Sequence, residues 1–96
     1  MQRDILFYQA NFEPEVNRMI DAFENKNEKY FELFKNKTLK IVENILNLSN
    51  KFSEKEEWNV VKNLIESFSF LNIEEKEILR KYGNCFSLKF AKILNN

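Results

Sequence analysis

The stretch "PEVNRMIDAFENKNEKYFELFKNKTLKIVENILNLS", residues 14–49, decides the fold class. Val16, Met19, Ile20, Phe23, Tyr30, Phe31, Phe34, Ile41, Ile45 and Leu48 recur in it at helical spacing. At about 100° per residue they fall in one stripe roughly 120° wide, the pattern of a helix with one buried face. Pro14 suits the first turn of that helix, where a missing N–H costs nothing. As a single rod the stretch would be about 54 Å long, against a radius of gyration near 13 Å for a compact chain of this size. Such a rod needs a second surface to cover it, and a homodimer would supply one. "NKNE" at 25–28 offers a compact solution, because Asn25 followed three residues later by Glu28 is a variant of the capping box. The sequence therefore predicts a break near Asn25 and a second weak point at Asn36. An unbroken helix in a homodimer is the alternative.

Outward from this stretch the same period continues. "SEKE" at 53–56 has the form of a capping box, with Ser53 as cap and Glu56 as reciprocal partner. The helix after it carries Trp58, Val61, Leu64, Ile65, Phe68 and Leu71 on one face. "NIEE" at 72–75 repeats the signal with Asn72 as cap, opening a short helix with Ile78, Leu79 and Tyr82 inward. Gly83 is placed to end it in a left-handed conformation. Asn84 can cap a last helix with Phe86, Phe90, Ile93 and Leu94 inward. Residues 3–11 have too short a period to assign. One Gly and one Pro in 96 residues leave little punctuation for hairpins. Ten Phe, three Tyr and one Trp supply bulky core material. The expectation is an all-α single domain over 1–96, a small bundle of four to five helices.

Composition excludes more chemistry than it suggests. The chain has no His, which removes the commonest general base, the Ser-His and Cys-His pairs and the usual zinc sets. A single Cys, Cys85, can form neither an internal disulfide nor a thiolate metal site, and fits a reducing compartment. One Gly cannot build a phosphate-cradling loop. Asp21, Glu24, Glu28 and Glu32 form a row beside the apolar stripe, but a row of acids without a His reads as an exposed face rather than a metal site. No catalytic residue, metal or cofactor is expected. Only Ile5 to Tyr8 are consecutively apolar near the N-terminus, too few for a secretory signal or a membrane span. The chain reads as soluble and cytoplasmic.

Net charge is zero but unevenly spread. Residues 1–34 carry seven acids and four bases, 35–52 one and four, 53–77 seven and three, and 78–96 none and four. Alternating signs suit helices lying side by side. A basic footprint over the whole chain, the mark of nucleic-acid binding, is missing.

"EILRKYGNCFSLKFAKIL", residues 77–94, resembles part of the C-terminal DNA-binding region of bacterial sigma factors. The matching residues are Glu77, Ile78, Leu79, Tyr82, Ser87, Leu88, Ile93 and Leu94. The resemblance implies a partial helix-turn-helix over 73–95 and a DNA-associated regulator. It departs from the family in two ways: the segment after Ser87 is one residue short, and the given chain stops where a recognition helix would follow. With 85–95 taken as the recognition helix, Lys89 and Lys92 make a thin contact set beside Arg80 and Lys81.

In size, composition and architecture the whole chain is similar to the small helical immunity proteins of bacterial toxin systems, with no motif to carry the likeness. That resemblance implies a non-catalytic, protein-binding inhibitor whose partner is a toxin domain, such as a nuclease, with a basic active-site groove. An acidic surface with aromatic anchors would complement such a groove. Two acidic sets are candidates. One is Asp21, Glu24, Glu28 and Glu32; the other is Glu54, Glu56, Glu57, Glu74, Glu75 and Glu77. Trp58, just after three acids, and Phe70, off its helical stripe, are the candidate aromatic anchors, although the stripe position of Trp58 also fits a core residue. Leu33, Leu39 and Leu88 likewise lie off their stripes and are candidates for exposure.

Overall fold

A computed structural model describes residues 4–81. The chain is an all-α small bundle, as its periodicity predicts. Helix α1 spans Ile5–Glu24, α2 Glu28–Leu48 and α3 Phe52–Glu66. A 3-10 turn follows at Phe68–Phe70. A further helix, α4, begins at residue 73 and continues to the last described residue, 81. The predicted turn at Gly83 and the final helix lie outside the described residues, as do Cys85 and most of the sigma-factor resemblance.

Residues 14–49 form two helices, not one. The break falls at Asn25–Asn27, and the chain radius of gyration is 13.3 Å, the value of a folded bundle rather than a rod. Its chemistry differs from the expected capping box. Asn25 is the C-cap of α1 and Lys26 takes a left-handed conformation, φ 57°. The Lys26 N–H donates to the Phe23 carbonyl and the Asn27 N–H to the Ala22 carbonyl, the two bonds of a Schellman ending. Asn27, not Asn25, then caps α2, its Oδ1 accepting from the Tyr30 N–H at 3.2 Å. No second break occurs at Asn36. An exposed Asn costs a helix interior only a few tenths of a kcal/mol, and the flanking residues Phe31, Val42 and Ile45 are buried.

Two further helix starts differ from the sequence reading. Helix α1 begins nine residues before Pro14, at Ile5, capped by the Asp4 side chain on the Phe7 N–H at 3.0 Å. Pro14 therefore sits inside a helix, on its exposed side. In α3 the Ser53 capping box does not form: the helix already starts at Phe52, and its N-cap, Lys51, makes no side-chain hydrogen bond. The Asn72 box does form. The Glu75 N–H donates to Asn72 Oδ1 at 2.8 Å, and the Asn72 N–H donates to Glu75 Oε1 at 3.2 Å.

The packing partners fix the helix directions. Helix α2 folds back along α1, and α3 packs on α2. Trp58 in the middle of α3 meets Phe12 of α1 edge-on at 5.2 Å, whereas Phe68, just after α3, meets Phe23 at the end of α1. Helix α3 thus runs with α1 and against α2. Helix α4 starts beside Phe23 with Lys76 and reaches back to Asn17 with Arg80, so it runs down α1. The order is up, down, up, down, with short connections.

The core holds Phe12, Val16, Met19, Ile20, Phe31, Val42, Ile45, Trp58, Val61, Ile65, Phe68 and Leu79. Thr38 is also buried, its hydroxyl donating to the Phe34 carbonyl at 2.7 Å. Three side chains depart from their expected faces. Tyr30 is 50% exposed and stacks on Phe34, and Leu39 is packed against the core rather than exposed. On α4 the inward position belongs to Leu79 alone of the predicted residues described, and Ile78 is exposed. The helix is rotated so that Lys76 and Arg80 lie half-buried on either side of Leu79.

Candidate functional site

Phe23, Phe31 and Phe68 come from three different elements and meet as a ring triad. Phe23 and Phe68 lie edge to face at 5.1 Å, Phe23 and Phe31 tilt together at 5.3 Å, and Phe31 and Phe68 stand 5.9 Å apart. Pairs at these separations stabilise beyond the area they bury, by about 0.5–1.5 kcal/mol each. The triad closes the end of the bundle where α1 stops and α2 begins. Above it opens a cleft of about 760 Å³, bounded by the α1–α2 turn, by Ser69 and by α4.

The rim is charged. Glu24, Glu28, Glu32 and Glu77 line it, together with Lys26, Lys76 and Arg80. The lining thus carries four carboxylates against three cations. Two of those cations are engaged within the protein. Lys76 Nζ stands 4.2 Å from the Phe23 ring centroid and 5.2 Å from that of Phe68. Arg80 reaches Asp21 Oδ1 at 3.2 Å, Glu24 Oε1 at 3.7 Å and Asn17 Oδ1 at 3.4 Å. The acids of those two ion pairs are 61% and 66% exposed, so each contributes at most about 1 kcal/mol and weakens with salt. They join α4 to α1 at the edge of the cleft.

The candidate residues read from the sequence separate into distinct places. Glu24, Glu28 and Glu32 converge on the cleft, and Glu77, assigned to the other acidic set, joins them there. Asp21 sits beside them, tied to Arg80. Glu75 is used in capping α4, and Glu74 is exposed on the same turn. Glu54, Glu56 and Glu57 lie on α3 and are not among the residues lining the cleft. Phe70 is 91% exposed next to Ile73 at 79%, which is itself on the rim. Trp58 is corrected: at 1% exposed against Phe12 it is core and offers no surface to a partner. Its stripe position outweighed its acidic neighbours, of which Glu56 and Glu57 are exposed. Leu33 is 44% exposed, as its off-stripe position predicts.

Sequence reasoning missed Lys76, gave Arg80 to a DNA-contact set rather than to this cleft, and read the triad only as core. The four-residue spacing of Lys76 and Arg80 on α4 was the one available signal, since it puts both on a single face. Among the described residues no group of acids is arranged to hold a metal ion, and no helix is long and apolar enough to cross a membrane. No protein-family model, curated protein or solved structure matches the chain.

Proposed function

We propose that this chain is a non-catalytic, protein-binding inhibitor of the immunity type, acting in the cytoplasm of a bacterium by docking on a toxin domain with a basic active-site groove. The observation that carries the reading is the cleft, where Glu24, Glu28 and Glu32 of one acidic set and Glu77 of the other share a rim over an aromatic floor. Basic grooves of nucleases attract such a surface at long range, and aromatic groups supply the desolvated contact at its centre. Phe70 and Ile73 extend the apolar part beyond the rim. The reading as a DNA-associated regulator gains nothing from the same region. Arg80, one of its four bases, is bound to Asp21 and Glu24, and a phosphate approaching the cleft would meet carboxylates.

The test is capture of the native partner on the tagged chain, followed by assay of the partner's own activity with increasing amounts of the chain. A partner blocked at a one-to-one ratio supports the proposal. Glu28→Lys with Glu32→Lys should weaken the block about tenfold or more, mainly through slower association. Reversing Glu54, Glu56 and Glu57 on α3 should leave it within about twofold. Nucleic acid that elutes with the chain and leaves as salt rises would overturn the proposal. So would a block indifferent to reversal at Glu28 and Glu32.

A further inference from the structure

The floor of the cleft already holds a cation, and that cation belongs to the chain itself. Lysine on the side of a surface helix ordinarily carries its ammonium out to bulk water. Lys76 instead lays its head over the faces of Phe23 and Phe68, where the negative face of each ring attracts positive charge. A lone ammonium fills little of this half-open space of about 760 Å³, a volume in the range of ligand-recognition clefts. The acids around it are not consumed by Lys76 either: no ion pair joins it to Glu28, Glu32 or Glu77.

Resting on the reading that this face engages a basic partner, we propose that the cleft is a receptor for an arginine side chain of that partner, and that Lys76 is the internal occupant it displaces. Charge complementarity selects the occupant: the lining has more carboxylates than cations, and its floor is three aromatic rings. Arginine fits better than lysine. Its guanidinium is planar, stacks on aromatic faces, is more weakly hydrated and can bond two carboxylates at once, which suits the neighbouring positions Glu28 and Glu32, one helical turn apart. An anionic or apolar ligand has no such match, since it would leave the rim carboxylates unpaired. Displaced from the rings, Lys76 swings to the solvent edge, where Glu77 and open water receive it.

The test uses the full chain and a short probe, acetyl-Gly-Arg-Gly-amide, titrated while the aromatic resonances of Phe23, Phe31 and Phe68 and the ε-methylene of Lys76 are followed by NMR. Lysine, norleucine and glutamate versions of the probe are the controls. Saturable shifts at the three rings, ordered arginine above lysine with none for norleucine or glutamate, are expected. Lys76→Met keeps the stem and removes the competing charge, so it should tighten arginine binding about two- to fivefold. Glu28→Gln with Glu32→Gln, both at exposed positions, should weaken it by a similar factor. Equal shifts with norleucine, or a Lys76→Met protein that binds arginine no better, would overturn the receptor. If that happens while reversal at Glu28 and Glu32 still abolishes inhibition of the native partner, the inhibitor reading stands and only the arginine receptor falls. If the probe behaves as expected but the native partner ignores the reversal, the arginine receptor stands and the inhibitor reading falls.

Discussion

Replacing Phe68 with alanine separates two roles that phenylalanines two residues apart play in the same 3-10 turn. Phe68 is fully buried, whereas Phe70 is 91% exposed. Truncating a buried Phe removes its transfer free energy and leaves a cavity, at a cost of about 3–5 kcal/mol. The upper half of that range is expected here, because the ring contacts with Phe23 and Phe31 are lost together. Against a total stability of about 5–15 kcal/mol, that loss leaves the bundle marginal. Truncating Phe70 should change stability by no more than about 0.5 kcal/mol. Trp58, the only tryptophan and 1% exposed, reports unfolding without a label. In urea, with a slope near 1.5 kcal/mol per molar, the Phe68→Ala midpoint should fall by about 2.7–3.3 M and that of Phe70→Ala by less than about 0.4 M. Midpoints for the two variants within about 0.5 M of each other would refute the aromatic triad as the element that seals this end of the bundle.

Lys26→Gly should stabilise the protein by about 0.5–1 kcal/mol, since glycine adopts the left-handed turn without the Cβ penalty, offset in part by its freer unfolded chain; Lys26→Val should destabilise it, and melting temperatures check both. Pro14→Ala should raise stability by about 1–3 kcal/mol, because it restores an N–H inside α1; a lower melting temperature would contradict the unbroken course of that helix. Asn72→Ala should cost about 1 kcal/mol and increase amide exchange in α4, while Ser53→Ala should change stability by no more than about 0.5 kcal/mol, because only the first of the two capping boxes forms.

Much of this architecture was written in local patterns. The period of 3.6 residues requires no knowledge of neighbours, so the stripe from Val16 to Leu48, the inward face of α3 and the exposure of Phe70 and Leu33 could all be read directly. The Asn72 box was legible for the same reason, since both of its bonds span three residues. Helix ends were harder where several polar residues competed. "NKNE" holds two asparagines able to cap, and which one serves depends on where α1 must stop for Phe23 to meet Phe31. Packing of that pair outweighs the cost of placing Lys26 in a left-handed turn. The start of α1 was missed because the run before Pro14 is too short to show a period by itself. Burial of Phe12 against Trp58 extends the helix through the proline.

The candidate site was half legible. The sequence by itself determined that the carboxylates of α1 and α2 form a row beside an apolar stripe, and that histidine, paired cysteine and glycine-loop chemistry are missing. Only the tertiary structure decided that Glu77 joins Glu24, Glu28 and Glu32, and that Lys76 and Arg80 reach in among them. Those juxtapositions span separations such as the 59 residues from Asp21 to Arg80. They follow from the rotation of α4 about its own axis, which is fixed by burying Leu79 rather than Ile78. Two adjacent apolar residues of similar size give the local pattern no means to choose between them; the shape of the groove left by the other helices does.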